Sequence, residues 1–495
     1  MEYILAIDQG TTGSRAVIYD KKGRKKASAY KEFRQYFPRP GWVEHSPEEI
    51  WGSVNHTIQK VLNIIPPNKI SAIGITNQRE TTVIWDKDTG KPIYNAICWQ
   101  CRRTSRRCDE LKKRNGAIEF FRKKTGLPID AYFSATKIEW LLKNVPGAMS
   151  KARRGKLLFG TTDTWVLWKL TQGKVHATDF TNASRTMLFN IEKLSWDDDV
   201  LKEFNIPKSI LPEVKKSSGT FGLTSKIGKL TPGIPISGIA GDQQAALFGQ
   251  ACLEPGTIKN TYGTGCFVLL NTGKIRPISK YGLITTLCCG PSGDPVYALE
   301  GAVFVAGSAI QWLRDGLKIL KSASESQEMA LSVEDNAGVY FVPALVGLGA
   351  PYWDQNARGS IYGLTRGVNS NHIVRAALEA ITYQTKDVMD AMKKDAGLKI
   401  EDLKVDGGAS ANDFLCQFQA DILGINVVRP KVIEITSLGA AYLAGLAIGY
   451  WKDSNEIKKC WTVDKIFNPR MPRSRASELY KGWLESVKRT LSNRS

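Results

Sequence analysis

The chain has 495 residues, enough for two or more domains, and its 42% hydrophobic content excludes global disorder. The formal net charge is +20, from 68 Lys+Arg against 48 Asp+Glu, which fits either a solvated basic surface or a positive field for an anionic substrate. The basic runs Lys21–Lys26, Arg102–Arg107 and Arg122–Lys124 are scattered and sit in no recognisable nucleic-acid-binding motif, so no nucleic-acid partner is expected.

Nine cysteines at no regular spacing do not make a secreted disulfide scaffold. Cys98 and Cys101 form a C-x-x-C without a second ligand pair at zinc spacing, so packing is their expected use. The N-terminus opens directly on an apolar strand with no signal-peptide layout. The longest nearly apolar stretch, 438–451, is too short and too rich in Gly and Ala to span a bilayer. A cytoplasmic protein without membrane insertion is expected.

In chain order, Ile4–Ile7 and Ala16–Tyr19 read as strands around the turn Gln9-Gly10-Thr11-Thr12-Gly13. They predict a hairpin, not the strand-to-helix layout of a P-loop, and the Walker spacing is absent. A helix is predicted from Ser46, with Pro47 at its first position and Glu49 completing a capping box. Residues 70–76 and 81–85 read as strands joined through Asn77-Gln78-Arg79-Glu80, and 163–170 as a helix. Strands at 258–262 and 266–270 flank Gly263-Thr264-Gly265 and repeat the first hairpin, which suggests two topologically similar halves, 1–248 and 249–495. A third glycine turn, Asp406-Gly407-Gly408, precedes a helix over about 412–423. The small residues of Ser437-Leu438-Gly439-Ala440-Ala441 open a closely packing helix, and Pro469–Arg475 reads as a surface loop.

Chemistry is concentrated at the turns. Backbone N–H groups of Gly10–Gly13 and Gly263–Gly265 could converge on phosphate, with hydroxyls from Thr11 and Thr12 and a cation from Arg15, although many such turns only reverse the chain. Asp8 and Asp242 follow apolar strands, where a carboxylate can hold a metal or take a proton and can equally cap a helix. Arg79-Glu80 offers donors and acceptors without net charge, as a neutral polyol needs, or forms an exposed ion pair of little consequence. Trp99, Tyr132 and Phe267 could wall such a site or fill a core.

Several longer stretches resemble those of the glycerol kinases, a group of the FGGY carbohydrate kinase family in the sugar kinase/actin-like superfamily. They include Asp8-Gln9-Gly10-Thr11-Thr12, Pro40–His45, Thr76–Thr82, Trp99–Arg103, Asn182–Asn190, Gly241–Gln250, Thr261–Gly265, Gly347–Asp354 and Val405–Ala409, in order along essentially the whole chain. The resemblance implies an α/β fold of two actin-like (ribonuclease H-like) domains, each a mixed sheet flanked by helices, with the active site in an interdomain cleft. It implies phosphorylation of glycerol by ATP to sn-glycerol 3-phosphate. Glycerol would be held by Arg79, Glu80, Tyr132, Asp242 and Gln243, with Trp99 and Phe267 against its carbons. ATP would contact Thr11, Thr12, Gly13, Arg15, Thr264, Gly307, Gln311, Gly408 and Asn412. Asp242 would be the general base, Asp8 and Asp242 would serve Mg²⁺, and the assembly would be a homodimer or homotetramer. Position 13 is Gly where many relatives have Ser, which implies that a hydroxyl contact to phosphate is missing while the backbone donor remains. Residues 222–233 lack the clustered glycines of relatives that bind fructose 1,6-bisphosphate, and 470–475 differs from a bacterial carrier-protein docking segment. A kinase acting on another polyol, triose or sugar, and a non-catalytic actin-like or nucleic-acid-binding protein, are the competing readings. The intact Asp242 and phosphate turns speak against the second.

Overall fold

The computed structural model describes residues 2–432 and 434–492. The chain forms two compact units. The first comprises Met1–Leu253, Thr285–Tyr297 and Ile435–Trp461; the second comprises Glu254–Ile284, Ala298–Glu434 and Thr462–Ser495.

The first unit is built on a six-stranded sheet in the order Ser218–Leu223, Pro235–Gly241, Ile70–Asn77, Tyr3–Gln9, Gly13–Tyr19, Lys25–Glu32. Its three central strands run parallel, and antiparallel strands flank them on both sides. The central strands carry near-continuous apolar runs because both of their faces are covered. Leu5, Ile7, Ile73, Ile75, Ile236 and Ile239 pack with Val54, Ile58 and Val61 of helix Pro47–Leu62.

Helix Ile435–Ala447 joins this unit because small residues let backbone meet backbone. A Cβ on Gly74 would collide with the main chain of Ala440, and one on Gly439 with that of Ala245. The close packing expected of Gly439-Ala440-Ala441 is therefore what seats this distant segment on the sheet.

The second unit contains, from residue 298 on, part of strand Pro295–Val303, followed in sheet order by Cys266–Gly273, Ile258–Tyr262, Asp402–Asp406, Asn426–Pro430 and Val463–Phe467. Again a central antiparallel hairpin is extended by two parallel strands and closed by an antiparallel one. Helices Ser370–Ala396 and Asp413–Leu423 contribute Ile381, Tyr383, Val388 and Leu415 to a core shared with Val268, Leu270, Leu403 and Val405. The recurring hairpin seen in the sequence is thus the corresponding hairpin of two sheets with one pattern.

Two local expectations change. Ser46 caps its helix by accepting from the Glu49 N–H at 3.3 Å, but the Glu49 carboxylate does not complete a capping box. It accepts instead from the Arg34 N–H at 3.1 Å and the Tyr36 hydroxyl at 2.5 Å, because the neighbouring strand brings better donors. The surface loop expected at 469–475 is shorter, since helix Arg473–Thr490 has already begun there. The Arg470 and Met471 N–H groups donate to Asp421, tying that loop down.

Candidate active site

In the first unit the sheet itself places the polar residues. Strands Tyr3–Gln9, Ile70–Asn77 and Pro235–Gly241 are parallel neighbours in register, with Asp8 beside Thr76 and Gly241 beside Asn77. Their carboxyl ends therefore deliver Gly10–Gly13, Gln78–Glu80 and Asp242 to one edge, the usual ligand-binding edge of an α/β sheet.

Asp242 opens helix Asp242–Gly249, where the helix dipole favours a carboxylate. Its Oδ1 accepts from the Arg79 Nε at 2.9 Å and from the Gln243 N–H at 2.7 Å. Both contacts use one oxygen, and the side chain is 31% exposed, so Oδ2 is left for a ligand hydroxyl. Arg79 is buried and also donates to the Gln244 side-chain carbonyl at 3.3 Å. Gly241 makes room for it: a Cβ there would lie 2.7 Å from the Arg79 Cδ.

Glu80 is buried with φ +61°, a left-handed conformation that a non-glycine residue adopts only under constraint. The constraint is visible: its carbonyl accepts from the Ser134 and Thr82 hydroxyls at 3.0 and 3.1 Å, and its Oε1 accepts from the Arg185 Nε at 2.6 Å. The Arg185 guanidinium lies over Tyr132, 5.5 Å from the ring centroid. Tyr132 meets Trp99 edge-on at 5.5 Å. Its own backbone is held by Asp130, which accepts from the Tyr132 N–H and is gripped by both guanidinium ends of Arg102. Lys137, fully buried, donates to the Tyr132 carbonyl at 2.6 Å. Burial pulls its ammonium down to about 8, opposed by the charge of Glu80.

Trp99 connects this polar cluster to the first glycine turn, its Nε1 donating to the Thr11 Oγ1 at 2.9 Å. The turn is closed by Gly10 N–H to Gly13 carbonyl at 2.9 Å, and Thr12 accepts from the Phe33 N–H. Arg15 stands opposite Asp8 in the hairpin register. Asp8, Thr11, Arg79, Glu80, Trp99, Tyr132, Asp242 and Gln243 thus all belong to turns, strand ends and one helix start of one unit.

In the second unit the register pairs Thr261 with Asp406, so the turns Gly263–Gly265 and Gly407–Gly408 occupy the same end of neighbouring parallel strands. Helix Gly307–Asp315 starts on the first of these turns. The Gly307 N–H donates to the Gly263 carbonyl at 3.0 Å, and the Ser308 N–H to that of Thr264 at 3.1 Å. A Cβ at Gly307 would come within 2.6 Å of the Gly263 oxygen. Gln311 lies exposed on this helix, and Phe267 is partly exposed on strand Cys266–Gly273. Asn412 caps helix Asp413–Leu423, accepting from the Leu415 N–H at 3.0 Å, while its amide donates to the Ser326 hydroxyl.

Sequence reasoning did not foresee what supports the site. The Gly241 N–H donates to the Thr181 hydroxyl at 2.8 Å, which donates to Asp179 at 2.6 Å. Asn182 donates to Asp179, and Asn77 to Asn182 and Asp163. Burial raises the carboxyls of both acids, that of Asp163 to about 6. The stretch Asn182–Asn190 had stood out as a motif, but no spacing rule assigned it the duty of holding Gly241 and Glu80. Among the described residues no three His, Cys, Asp or Glu side chains gather as a metal cage, and no helix is long and apolar enough to cross a membrane.

Comparison with known proteins accords with this architecture. Residues 3–249 match the N-terminal domain model of the FGGY family of carbohydrate kinases, and residues 258–448 match its C-terminal domain model. The chain is 59% identical to a glycerol kinase of Fusobacterium nucleatum over 99% of both chains. It is 60% identical to one of Caldanaerobacter subterraneus, also over 99% of both. It superposes on the crystal structure of Plasmodium falciparum glycerol kinase with ADP at a TM-score of 0.93 and 39% identity, covering 100% of this chain and 99% of that one. The chain belongs to the FGGY family of carbohydrate kinases.

Proposed function

We propose that the protein transfers the terminal phosphoryl group of ATP to glycerol, giving sn-glycerol 3-phosphate. The observation that carries this is the arrangement of Asp242: a partly exposed carboxylate on a helix N-terminus, oriented through Oδ1 by Arg79, whose chain neighbour Glu80 is buried. Its support from relatives is the name glycerol kinase borne by full-length proteins about 59% identical. A kinase for another small polyol or sugar is the alternative within the family.

To glycerol we assign Arg79, Glu80, Tyr132, Asp242 and Gln243, with Trp99 and Phe267 as apolar walls. Glu80 accepts and Arg79 donates, so the hydroxyls of a neutral triol are satisfied without net charge. Asp242 takes the proton of the attacking terminal hydroxyl as the O–P bond forms. To the nucleotide we assign Thr11, Thr12, Gly13 and Arg15 in the first unit, and Thr264, Gly307, Gln311, Gly408 and Asn412 in the second. We assign the acceptor site and first phosphate hairpin to 1–248, and the second phosphate hairpin and adenosine site to 249–495.

Magnesium fits as an ion carried by the phosphates. Mg²⁺ in phosphoryl-transfer sites is usually held by one or two carboxylates, with water and phosphate completing its shell. Asp8 and Asp242 are the carboxylates we assign to it, and the ion would neutralise charge on the transferring phosphoryl group. The nine cysteines are free, eight of them buried, which fits a reducing cytoplasmic setting. A homodimer or homotetramer is the proposed assembly, checked by sedimentation.

Product analysis tests the proposal. After incubation with Mg-ATP and glycerol, phosphorus and carbon NMR should place phosphate on a terminal carbon, in a product consumed by a dehydrogenase specific for the sn-3 isomer. Phosphate on the central carbon, or an unchanged triol beside a phosphorylated sugar control, would refute it.

A further inference from the structure

Gly13 opens the strand after the phosphate turn and offers a ligand its backbone N–H but no side chain. The space its side chain would fill is occupied. A Cβ built at position 13 falls 2.5 Å from the Tyr30 hydroxyl oxygen and 2.6 Å from the ring carbon that bears it. Tyr30 lies on the adjacent strand Lys25–Glu32, directly opposite Arg15, so both side chains share the face of Gly13. The phenol hydroxyl lies 3.4 Å from the Thr12 Oγ1, and the ring stacks beneath the Arg15 guanidinium, 5.5 Å from centroid to Cζ.

Packing alone does not account for this placement. Tyr30 is 47% exposed, on an edge strand, while Gly13 is buried beneath its hydroxyl end. The aromatic body lies beside a cation, and the polar tip sits among the hydroxyls of the turn.

We infer that the Tyr30 hydroxyl binds nucleotide phosphate, taking the place that a hydroxyl side chain at residue 13 would hold. The inference deepens the proposed function and rests on its reading of Gly10–Gly13 as a phosphate turn. A phenol O–H is a donor that pairs with an anionic oxygen, and Arg15 keeps the ring in place while adding positive charge nearby. Gly13 then has a second purpose, because any side chain there would evict the phenol.

Tyr30→Phe removes the hydroxyl and keeps the ring over Arg15. Calorimetric titration with Mg-ATP reads the phosphate contact directly and does not depend on the acceptor. The affinity of Tyr30→Phe should fall about 10- to 150-fold, the range for a lost hydrogen bond to a charged group. At saturating ATP, the KM for glycerol should stay within twofold, and the melting temperature should not move. Unchanged ATP affinity in Tyr30→Phe overturns the inference. Parallel losses for ATP and glycerol with a lowered melting temperature also overturn it, since they report a structural role. If the native protein binds Mg-ATP but does not phosphorylate glycerol, the glycerol reading fails, while the Tyr30 comparison still stands or falls on the titration.

Discussion

The Arg79 Nε and Asp242 Oδ1 lie 2.9 Å apart although they leave the ends of two different parallel strands. This contact fixes one oxygen of the carboxylate and gives Asp242 a defined orientation. A base that must meet one hydroxyl in line with a phosphoryl group benefits from that constraint.

Replacing Asp242 by Asn keeps an oxygen for Arg79 and removes the proposed base. Turnover should drop about 10²- to 10⁴-fold while ATP binding is retained. Steady-state rates with calorimetric binding check this, and near-native turnover would contradict the assignment.

Arg185 and Glu80 form an ion pair with essentially no solvent exposure on either side chain. Breaking such a pair leaves a buried charge and costs about 3–5 kcal/mol. Arg185→Ala should therefore lower the denaturation midpoint strongly. Arg185→Lys, which lacks the planar fork, should raise the KM for glycerol more than that for ATP. Equal effects on both substrates would argue that Glu80 does not face the acceptor.

Trp99→Phe deletes the donor to the Thr11 Oγ1 but preserves an apolar wall. The KM for Mg-ATP should rise a few-fold, in line with a net hydrogen bond of about 1 kcal/mol. If only glycerol kinetics change, Trp99 does not position the phosphate turn.

Much of this site was legible in the sequence because glycine, hydroxyl and acidic residues cluster just past apolar strands. The hairpins at 4–19 and 258–270 could be read for the same reason. What could not be read was long-range partnering. Arg79 and Glu80 looked like one adjacent pair, yet Arg79 binds Asp242 and Glu80 binds Arg185. No local pattern tells which distant strand end will meet an arginine. The role of Tyr30 was hidden too, since strand register alone brings it over Gly13. Glu49 shows the limit of local rules, because tertiary donors outcompeted its own helix end.

Stability should respond to pH through Asp387 in the second unit. Burial raises this carboxyl from its ordinary 3.8 to about 7, despite donors from Tyr480 and Trp483. The native state therefore holds a proton that the unfolded chain releases. Its share of stability is greatest below the unfolded value and falls as pH rises to about 7, by at most about 1.4 kcal/mol per unit. Asp387→Asn should flatten this slope in chemical denaturation between pH 4 and pH 7. A slope identical to the native one would contradict it.

The most direct measurement is ADP release from Mg-ATP by the purified protein with glycerol, dihydroxyacetone, xylulose, gluconate or no acceptor. The account predicts strong release with glycerol and little with the sugars or with water alone. Silence with glycerol and turnover with xylulose or gluconate would contradict the assignment of Arg79 and Glu80 to a triol, while leaving the family and the place of Asp242 intact.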